Sequence, residues 1–214
     1  MELAVSRLHF PVTTLGPGRR VGVWFQGCNI RCPGCVSADT WGFEKGQTTV
    51  AKTLELITAW LPQADGLTIS GGEPFDQADA LVALLAGLPL RPDQDILVYS
   101  GYPVEALSNT LDRCEGRIDA LISDPFIADA PQTLRLRGSD NQRLHLLTER
   151  GRRLFSSYQT TAGTADRRLD VMFDDDGTVW LAGVPRQHDM VRLRHLLADE
   201  GHVVATSDAT HSSR

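Results

Sequence analysis

Three closely spaced cysteines are the residues of this chain most able to do chemistry. Cys28, Cys32 and Cys35 follow a C-x3-C-x2-C spacing, while other potential donors such as His9 and Cys114 lie far away in sequence. Thiolates favour zinc, copper(I) or iron–sulfur clusters, and a closed structural site normally has four ligands. The spacing therefore indicates a four-iron cluster whose fourth iron is open to a small molecule. A zinc knuckle, or a redox pair of Cys32 and Cys35, is the alternative.

A second candidate site follows a predicted strand. Residues 66–70 read as a short buried strand, and Gly71, Gly72, Glu73 and Pro74 come directly after it. Ligands gather at the carboxyl ends of strands in parallel sheets and barrels. The two glycines let backbone groups approach a ligand without an intervening Cβ, and Glu73 offers an acceptor for an ammonium group. Such a sequence alone is often an ordinary turn, but beside the cysteine triplet it indicates a ligand site.

The two motifs lie within a region where predicted strands and helices alternate. Apolar and β-branched runs predict strands, and apolar residues at helical spacing predict helices between them. The strands fall at 21–27, 66–70, 95–99 and 118–122, and the helices at 52–61, 78–88 and 103–114. Strands separated by helices imply right-handed crossovers and a parallel sheet. We therefore expect an α/β fold, in the form of an incomplete parallel β/α barrel.

The two motifs together resemble the signature of the radical S-adenosylmethionine (SAM) superfamily. Within it, further segments are similar to the activating proteins of anaerobic ribonucleoside-triphosphate reductase, which are glycyl radical enzyme activases. These segments are residues 15–19, 32–35, 39–41, 99–102 and 137–142. Gly34 also matches those activases, because many other radical SAM proteins have an aromatic residue there. The resemblance extends over about two thirds of the chain and implies a partial barrel of the radical SAM type.

The resemblance also implies a mechanism and a set of partners. Cys28, Cys32 and Cys35 would ligate a [4Fe–4S] cluster, and its fourth iron would bind S-adenosyl-L-methionine. Reductive cleavage of SAM would give a 5′-deoxyadenosyl radical that abstracts hydrogen from a glycyl radical enzyme such as anaerobic ribonucleotide reductase. The electron would come from a donor such as flavodoxin or ferredoxin. The residues that we expect to contact SAM are Gly71, Gly72, Glu73, Pro74, Ser100 and Gly101.

One departure from the activase pattern keeps other functions open. The family often has Asp-Gly before an aromatic residue after the fourth strand, whereas this chain has Ser123, Asp124, Pro125 and Phe126. A radical SAM enzyme that modifies a small molecule or a ribosomal peptide is therefore the first alternative. An iron–sulfur electron carrier is the weakest, because a carrier needs neither an open iron nor the glycine-rich motif.

The chain continues past the segments that carry the resemblance. We expect residues 1–150 to form the radical SAM core domain and residues 151–214 to form an extension. In that extension, residues 151–168 read as a polar linker or mobile loop, and two short strands around a tight turn predict a hairpin. A helix over 186–200 should turn Met190, Leu193, Leu196 and Leu197 inward, and residues 206–214 read as a disordered tail.

Composition and charge are those of a small enzyme. The 214 residues suit one domain, with 42% hydrophobic and 22% charged residues. A net charge of −6 argues against general nucleic-acid binding. No apolar run is long enough to span a membrane, and the first residues lack the pattern of a signal peptide. We therefore expect a cytoplasmic protein, whose reducing compartment also suits a thiolate-bound cluster.

Overall fold

The central element of the protein is a seven-stranded sheet with the order β3-β1-β2-β4-β5-β6-β7. The structure is a computed structural model and describes residues 1–175 and 177–203. The strands are β1 (Glu2–Val12), β2 (Arg20–Phe25), β3 (Gln47–Thr49), β4 (Gly66–Gly71), β5 (Asp95–Tyr99), β6 (Ala120–Ser123) and β7 (Arg143–Leu146).

The four inner strands are parallel and the edges are antiparallel. Strands β2, β4, β5 and β6 run in the same direction, while β1 is antiparallel to β2, β3 to β1, and β7 to β6. All six residues of β2 and all four of β6 are buried, as expected where both faces of a parallel sheet are covered. The predicted α/β class with a largely parallel sheet is confirmed. The antiparallel strands β1, β3 and β7 were not predicted.

Helices cover the sheet between its parallel strands. They are α1 (Val50–Trp60), α2 (Ala78–Gly87), α3 (Ser108–Arg113) and α4 (Glu149–Phe155). Helix α1 begins where Thr49 Oγ1 accepts a hydrogen bond from the N–H of Lys52 at 3.2 Å, a standard N-cap. The predicted helix over 103–114 is instead two pieces, a 3-10 turn at Val104–Ala106 followed by α3. The main core joins β2, β4 and β5 to α1 and α2 through residues such as Phe25, Ile57 and Leu84.

The amino ends of the parallel strands contain a buried ion pair. The guanidinium of Arg20, at the start of β2, is fully buried and donates to both carboxylate oxygens of Asp95, at the start of β5, at 2.6 and 3.1 Å. It also donates to Thr68 Oγ1 at 2.7 Å and to the carbonyls of Pro17 and Leu67. Both charges are thus paired and hydrogen-bonded inside the protein, as a buried ion pair requires.

The region after residue 150 is partly helical and packed. Helix α4 continues to Phe155, whose side chain is fully buried, and a 3-10 turn covers Ser156–Gln159. The prediction of a linker or mobile loop is therefore wrong for this stretch. One large apolar residue among arginines and serines anchors it, and the predominantly polar pattern concealed that anchor.

The extension also contains the predicted hairpin and helix. Strands β8 (Leu169–Phe173) and β9 (Val179–Gly183) pair antiparallel as a separate two-stranded sheet, followed by α5 (Asp189–Asp199). No residue of α5 is buried and Leu196 is 64% exposed, so the prediction that Leu196 turns inward is wrong. The predicted tail, residues 206–214, lies outside the described residues. The division of the chain at residue 150 stays a prediction.

The hairpin is attached to the sheet by an apolar patch and by polar contacts, among them those of Asp170. Met172 and Ala182 pack on residues that include Trp24. The carboxylate of Asp170 accepts hydrogen bonds from the N–H and hydroxyl of Thr13 at 2.6 and 2.7 Å. None of the helices that the structure describes is long and apolar enough to cross a membrane.

Candidate metal centre

The cysteine loop leaves the carboxyl end of β2 and is anchored on both sides. The N–H of Gly27 donates to the carbonyl of Thr40 at 2.7 Å, and the N–H of Cys28 to that of Trp41 at 3.1 Å. On the other side, the N–H of Asn29 donates to a carboxylate oxygen of Asp76 at 2.8 Å. Because the bonds come from segments next to β3 and β4, the position of the loop is set by the sheet.

All three predicted cluster cysteines line one cavity. The cavity has a volume of about 700 Å³ and lies at the carboxyl ends of β2, β4, β5 and β6. Beside Cys28, Cys32 and Cys35 it is lined by five of the six predicted SAM contacts, Gly71, Gly72, Glu73, Ser100 and Gly101. Two motifs that are about 40 residues apart in sequence are thus brought to one place, as strand-end sites of parallel sheets are.

The thiols have the donor chemistry of a cluster site. All three are free cysteines, and burial raises the pKa of Cys35 to about 11 and raises the pKa of Cys28 and Cys32 as well. Among the described residues, no three His, Cys, Asp or Glu side chains are placed to hold a single metal ion. Three thiols on one cavity are soft donors of the kind that an iron–sulfur cluster requires.

Glu73 is fully buried at the base of this cavity. Its Oε1 accepts from the N–H of Phe75 at 3.0 Å and from Ser100 Oγ at 2.9 Å, and its Oε2 accepts from the N–H of Gly101 at 2.7 Å. Burial outweighs these hydrogen bonds and raises the pKa of Glu73 to about 7. An ionised carboxylate has about four acceptor positions. Three are occupied, so one stays available for a cationic ligand.

Gly71 and Gly72 are required by the packing of the site itself. Gly71 has a φ of +101°, and a Cβ there would lie 2.5 Å from the backbone of Phe25. A Cβ at Gly72 would lie 2.1 Å from the carbonyl oxygen of Gly27. The sequence interpretation assigned both glycines to ligand approach. The structure adds that they let β4 and the start of the cysteine loop come into direct contact.

Ser100 and Gly101 line the cavity, and Pro74 does not. Ser100 Oγ donates to Glu73 and accepts from the N–H of Tyr102 at 3.0 Å, so it fixes the carboxylate. Pro74 is buried and begins the 3-10 turn Pro74–Gln77, and it is absent from the described lining of the cavity. Its contribution is to end the motif in a defined turn rather than to face a ligand.

Two further residues of the site were not predicted. Asp76 holds Asn29 and accepts from the hydroxyl of Tyr102 at 2.8 Å, which ties the cysteine loop to the chain after β5. Phe126 lines the cavity, and its N–H donates to the sulfur of Cys32. A Cβ on Gly34 would lie 3.7 Å from the Phe126 ring, so an aromatic side chain does stand beside Gly34. This aromatic side chain belongs to residues 123–126, the segment that differs from the activase pattern. The sequence alone did not indicate its contact with Gly34.

The extension forms one wall of the same cavity. Every residue of β9 lines it, and so do the residues that follow as far as His188. Arg7 of β1 lies 3.6 Å from the centre of the Trp180 ring and pairs with Asp39 of the cysteine-loop region. Both Arg7 and Trp180 line the cavity. The extension therefore contributes to the site and is not a separate appendage.

Fold and site together define an α/β protein with three cysteines on one cavity at the carboxyl edge of its sheet. The 4Fe-4S single cluster domain family matches residues 14–145. The anaerobic ribonucleoside-triphosphate reductase-activating protein of Vibrio cholerae is 31% identical over 149 residues, which are 65% of this chain and 96% of the relative. The protein of the same name from Enterobacteria phage T4 is 31% identical over 134 residues, 60% of this chain and 85% of the relative.

A third relative shares a shorter part of the chain. The pyruvate formate-lyase-activating enzyme of Clostridium pasteurianum is 39% identical over 75 residues, 33% of this chain and 32% of the relative. The chain therefore belongs to the 4Fe-4S single cluster domain family, and within it to the radical SAM activating proteins. The match ends at residue 145, so the hairpin that lines the cavity lies outside the part that identifies the family.

Proposed function

We propose that this protein activates a glycyl radical enzyme of the anaerobic ribonucleoside-triphosphate reductase type. The observation that carries the proposal is the placement of Cys28, Cys32 and Cys35 on one cavity with Glu73 at its base. Relatives named for the activation of that reductase match this chain over 96% and 85% of their own lengths. Membership of this family also favours a partial β/α barrel as the form of the sheet.

The cysteines and the glycine-rich motif have separate roles in this proposal. Cys28, Cys32 and Cys35 hold a [4Fe–4S] cluster and leave one iron open. Glu73 accepts a hydrogen bond from the ammonium group of SAM at its remaining acceptor position, and the backbone around Gly72 borders the ligand. When bound, the cluster and SAM would supply reductive cleavage of SAM: one electron from the donor would give methionine and a 5′-deoxyadenosyl group that takes a hydrogen atom from the Cα of a glycine and leaves as 5′-deoxyadenosine.

The residues of the chain act by positioning and by excluding water, because hydrogen-atom abstraction needs no acid or base. Ser100 and the N–H of Gly101 fix the carboxylate of Glu73 before a ligand arrives. Phe126 and the β9 strand cover the cavity from the sides. A reactive radical is protected when its site is closed to solvent. An electron donor such as flavodoxin or ferredoxin completes the proposal, since the cluster must be reduced.

The experiment uses an anaerobic ribonucleoside-triphosphate reductase as the partner enzyme. The protein is reconstituted anaerobically with iron and sulfide, reduced with dithionite, and mixed with SAM and the reductase. We expect an electron paramagnetic resonance signal of a glycyl radical on the reductase, together with 5′-deoxyadenosine. The signal should be absent when Glu73→Gln is combined with Cys32→Ala, which removes both cofactor contacts.

The main alternative predicts a different result. The hairpin wall of the cavity suits an enzyme that encloses a small molecule or a peptide. In that case, the reductase would acquire no radical, and a small molecule or ribosomal peptide would accelerate 5′-deoxyadenosine formation instead. That pair of results would overturn the activase proposal.

A further inference from the structure

Among the residues that the structure describes, strand β9 pairs with β8 alone, so its other edge has no partner strand. The two-stranded sheet contains only β8 and β9. Of β8, only Leu169 lines the cavity, whereas all residues of β9, Val179–Gly183, line it consecutively. A strand that presented one face to the cavity would contribute alternate residues. The unbroken run therefore indicates that β9 presents its edge.

The register of the hairpin shows which backbone groups point from this edge. The N–H of Asp174 donates to the carbonyl of Thr178 at 2.9 Å, so these two residues form a hydrogen-bonded pair. Hydrogen-bonded and non-hydrogen-bonded pairs alternate along an antiparallel ladder. Val171 and Leu181 face each other in the register and therefore form a non-hydrogen-bonded pair. The N–H and C=O of Leu181 consequently point away from β8 and towards the cavity.

The same hairpin exposes apolar side chains beside this edge. Val171, Phe173 and Val179 are 51%, 76% and 50% exposed. They share the face of the hairpin that is opposite to Met172 and Ala182, which pack on the core. Val179 both borders the cavity and belongs to this exposed apolar face. The surface is thus continuous with the place where a protein substrate must insert its glycine.

We propose that the free edge of β9 binds the glycine-bearing segment of the partner enzyme as an added β-strand. This inference rests on the proposed function, because it needs a polypeptide substrate. Strand addition supplies backbone hydrogen bonds to an extended segment and fixes its register. Register matters here, because the hydrogen atom to be removed is on the main-chain Cα. A glycine also fits the narrow approach, since it has no side chain between its Cα and the cavity.

The test compares two proline variants at facing positions of one hairpin. Leu181→Pro removes the N–H that points to the cavity, and Val171→Pro removes the N–H on the opposite edge of the same sheet. Neither N–H belongs to the hairpin ladder, and proline is tolerated at strand edges. Both variants should therefore keep the hairpin, which is checked by hydrogen exchange of the backbone amides of β8 and β9 and by thermal unfolding.

We expect Leu181→Pro to weaken binding of the reductase about tenfold, equivalent to about 1.4 kcal/mol, and to lower the yield of glycyl radical. Val171→Pro should bind like the wild-type protein. Iron content after anaerobic reconstitution should be the same in all three proteins, because no cysteine is changed. Binding is measured by titration calorimetry with the intact reductase and cluster-loaded protein.

The outcomes separate this inference from the proposed function. Equal binding and radical yield in Leu181→Pro and the wild-type protein would overturn the strand-addition site and leave the activase function intact. Equal losses in both proline variants would also overturn it, since the reductase would then contact the hairpin without pairing with the edge of β9. If the wild-type protein itself forms no radical on the reductase, the proposed function fails first and the inference fails with it.

Discussion

Polar groups lie at both ends of the parallel strands, but they are bonded to other protein groups at one end and border a cavity at the other. At the amino ends, Arg20 and Asp95 are fully buried and satisfy each other and their neighbours. At the carboxyl ends, the cysteine thiols and Glu73 border a cavity of about 700 Å³. One end uses charge to join strands, and the other keeps donors and acceptors available. The comparison teaches that burial of polar groups does not by itself mark a functional site; an adjacent cavity is also required.

The first prediction concerns a variant of the site at the carboxyl ends of the parallel strands, where we expect the largest effect. Cys32→Ala removes one of three thiolates, so we expect complete loss of the [4Fe–4S] absorption after anaerobic reconstitution. Cys32 is only half-buried, and the unfolding temperature of the cluster-free protein should hardly change. Iron content and thermal unfolding measure the two effects.

Cys114→Ala is the matched control for this change. Cys114 is buried in the core and lies outside the lining of the cavity, so the variant should keep its iron. If both variants lose iron equally, the cluster ligands have been assigned incorrectly.

The second prediction concerns a variant of the ion pair at the amino ends of the parallel strands. Arg20→Met leaves the carboxylate of Asp95 buried without its partner, and we expect a loss of about 3–5 kcal/mol in the free energy of unfolding. Denaturant titration measures it. Protein that still folds should bind its cluster, because Arg20 lies at the opposite end of the strands.

An exposed ion pair gives the control for this variant. Arg113 pairs with Asp79 at 2.6 Å, with 44% and 76% of the side chains exposed, so Arg113→Met should have little effect on stability. A similar loss in both variants would show that the buried position of Arg20 is not what matters.

The third prediction concerns how SAM affinity at the carboxyl ends depends on pH. Burial raises the pKa of Glu73 to about 7, so at pH 6 most of the SAM-free protein has a neutral Glu73. Because an ammonium group is bound by the carboxylate, SAM affinity should rise between pH 6 and pH 8. Glu73→Gln should weaken SAM binding at pH 8 about tenfold and lose this part of the pH dependence. Calorimetric titration with SAM at both pH values measures it.

Glu105→Gln tests whether the loss of any carboxylate has this effect. Glu105 is exposed and paired with Arg143 at 2.7 Å, so SAM affinity and its pH dependence should stay unchanged. If Glu73→Gln keeps the wild-type pH profile, the ligand's own amino group, and not Glu73, controls binding.

Sequence patterns predicted the inner strands of the sheet better than its edges and the walls of the cavity. The buried runs of β2, β4 and β5 are continuous and apolar, so their strands were recognisable. Strand β1 escaped prediction because Glu2–Val12 mixes polar and apolar residues and is only partly buried. Helix α4 was read as a linker, because its burial depends on Phe155.

The candidate site shows the same division. The cysteines, Glu73 and Ser100 belong to short motifs whose chemistry is evident from residue type. Asp76 and Phe126 reach the site only through tertiary contacts with Asn29 and Cys32, which no local pattern contains.

The narrow attachment of the hairpin has a consequence for how the protein fluctuates. An isolated two-stranded hairpin is at best marginally stable in water, so β8 and β9 depend on their contacts with the patch around Trp24. The buried side chains of the hairpin are those of Met172 and Ala182, and no residue of α5 is buried. Local unfolding of the hairpin therefore costs less free energy than global unfolding. The cavity can gain or lose one wall while the seven-stranded sheet, with its cysteine loop, stays folded.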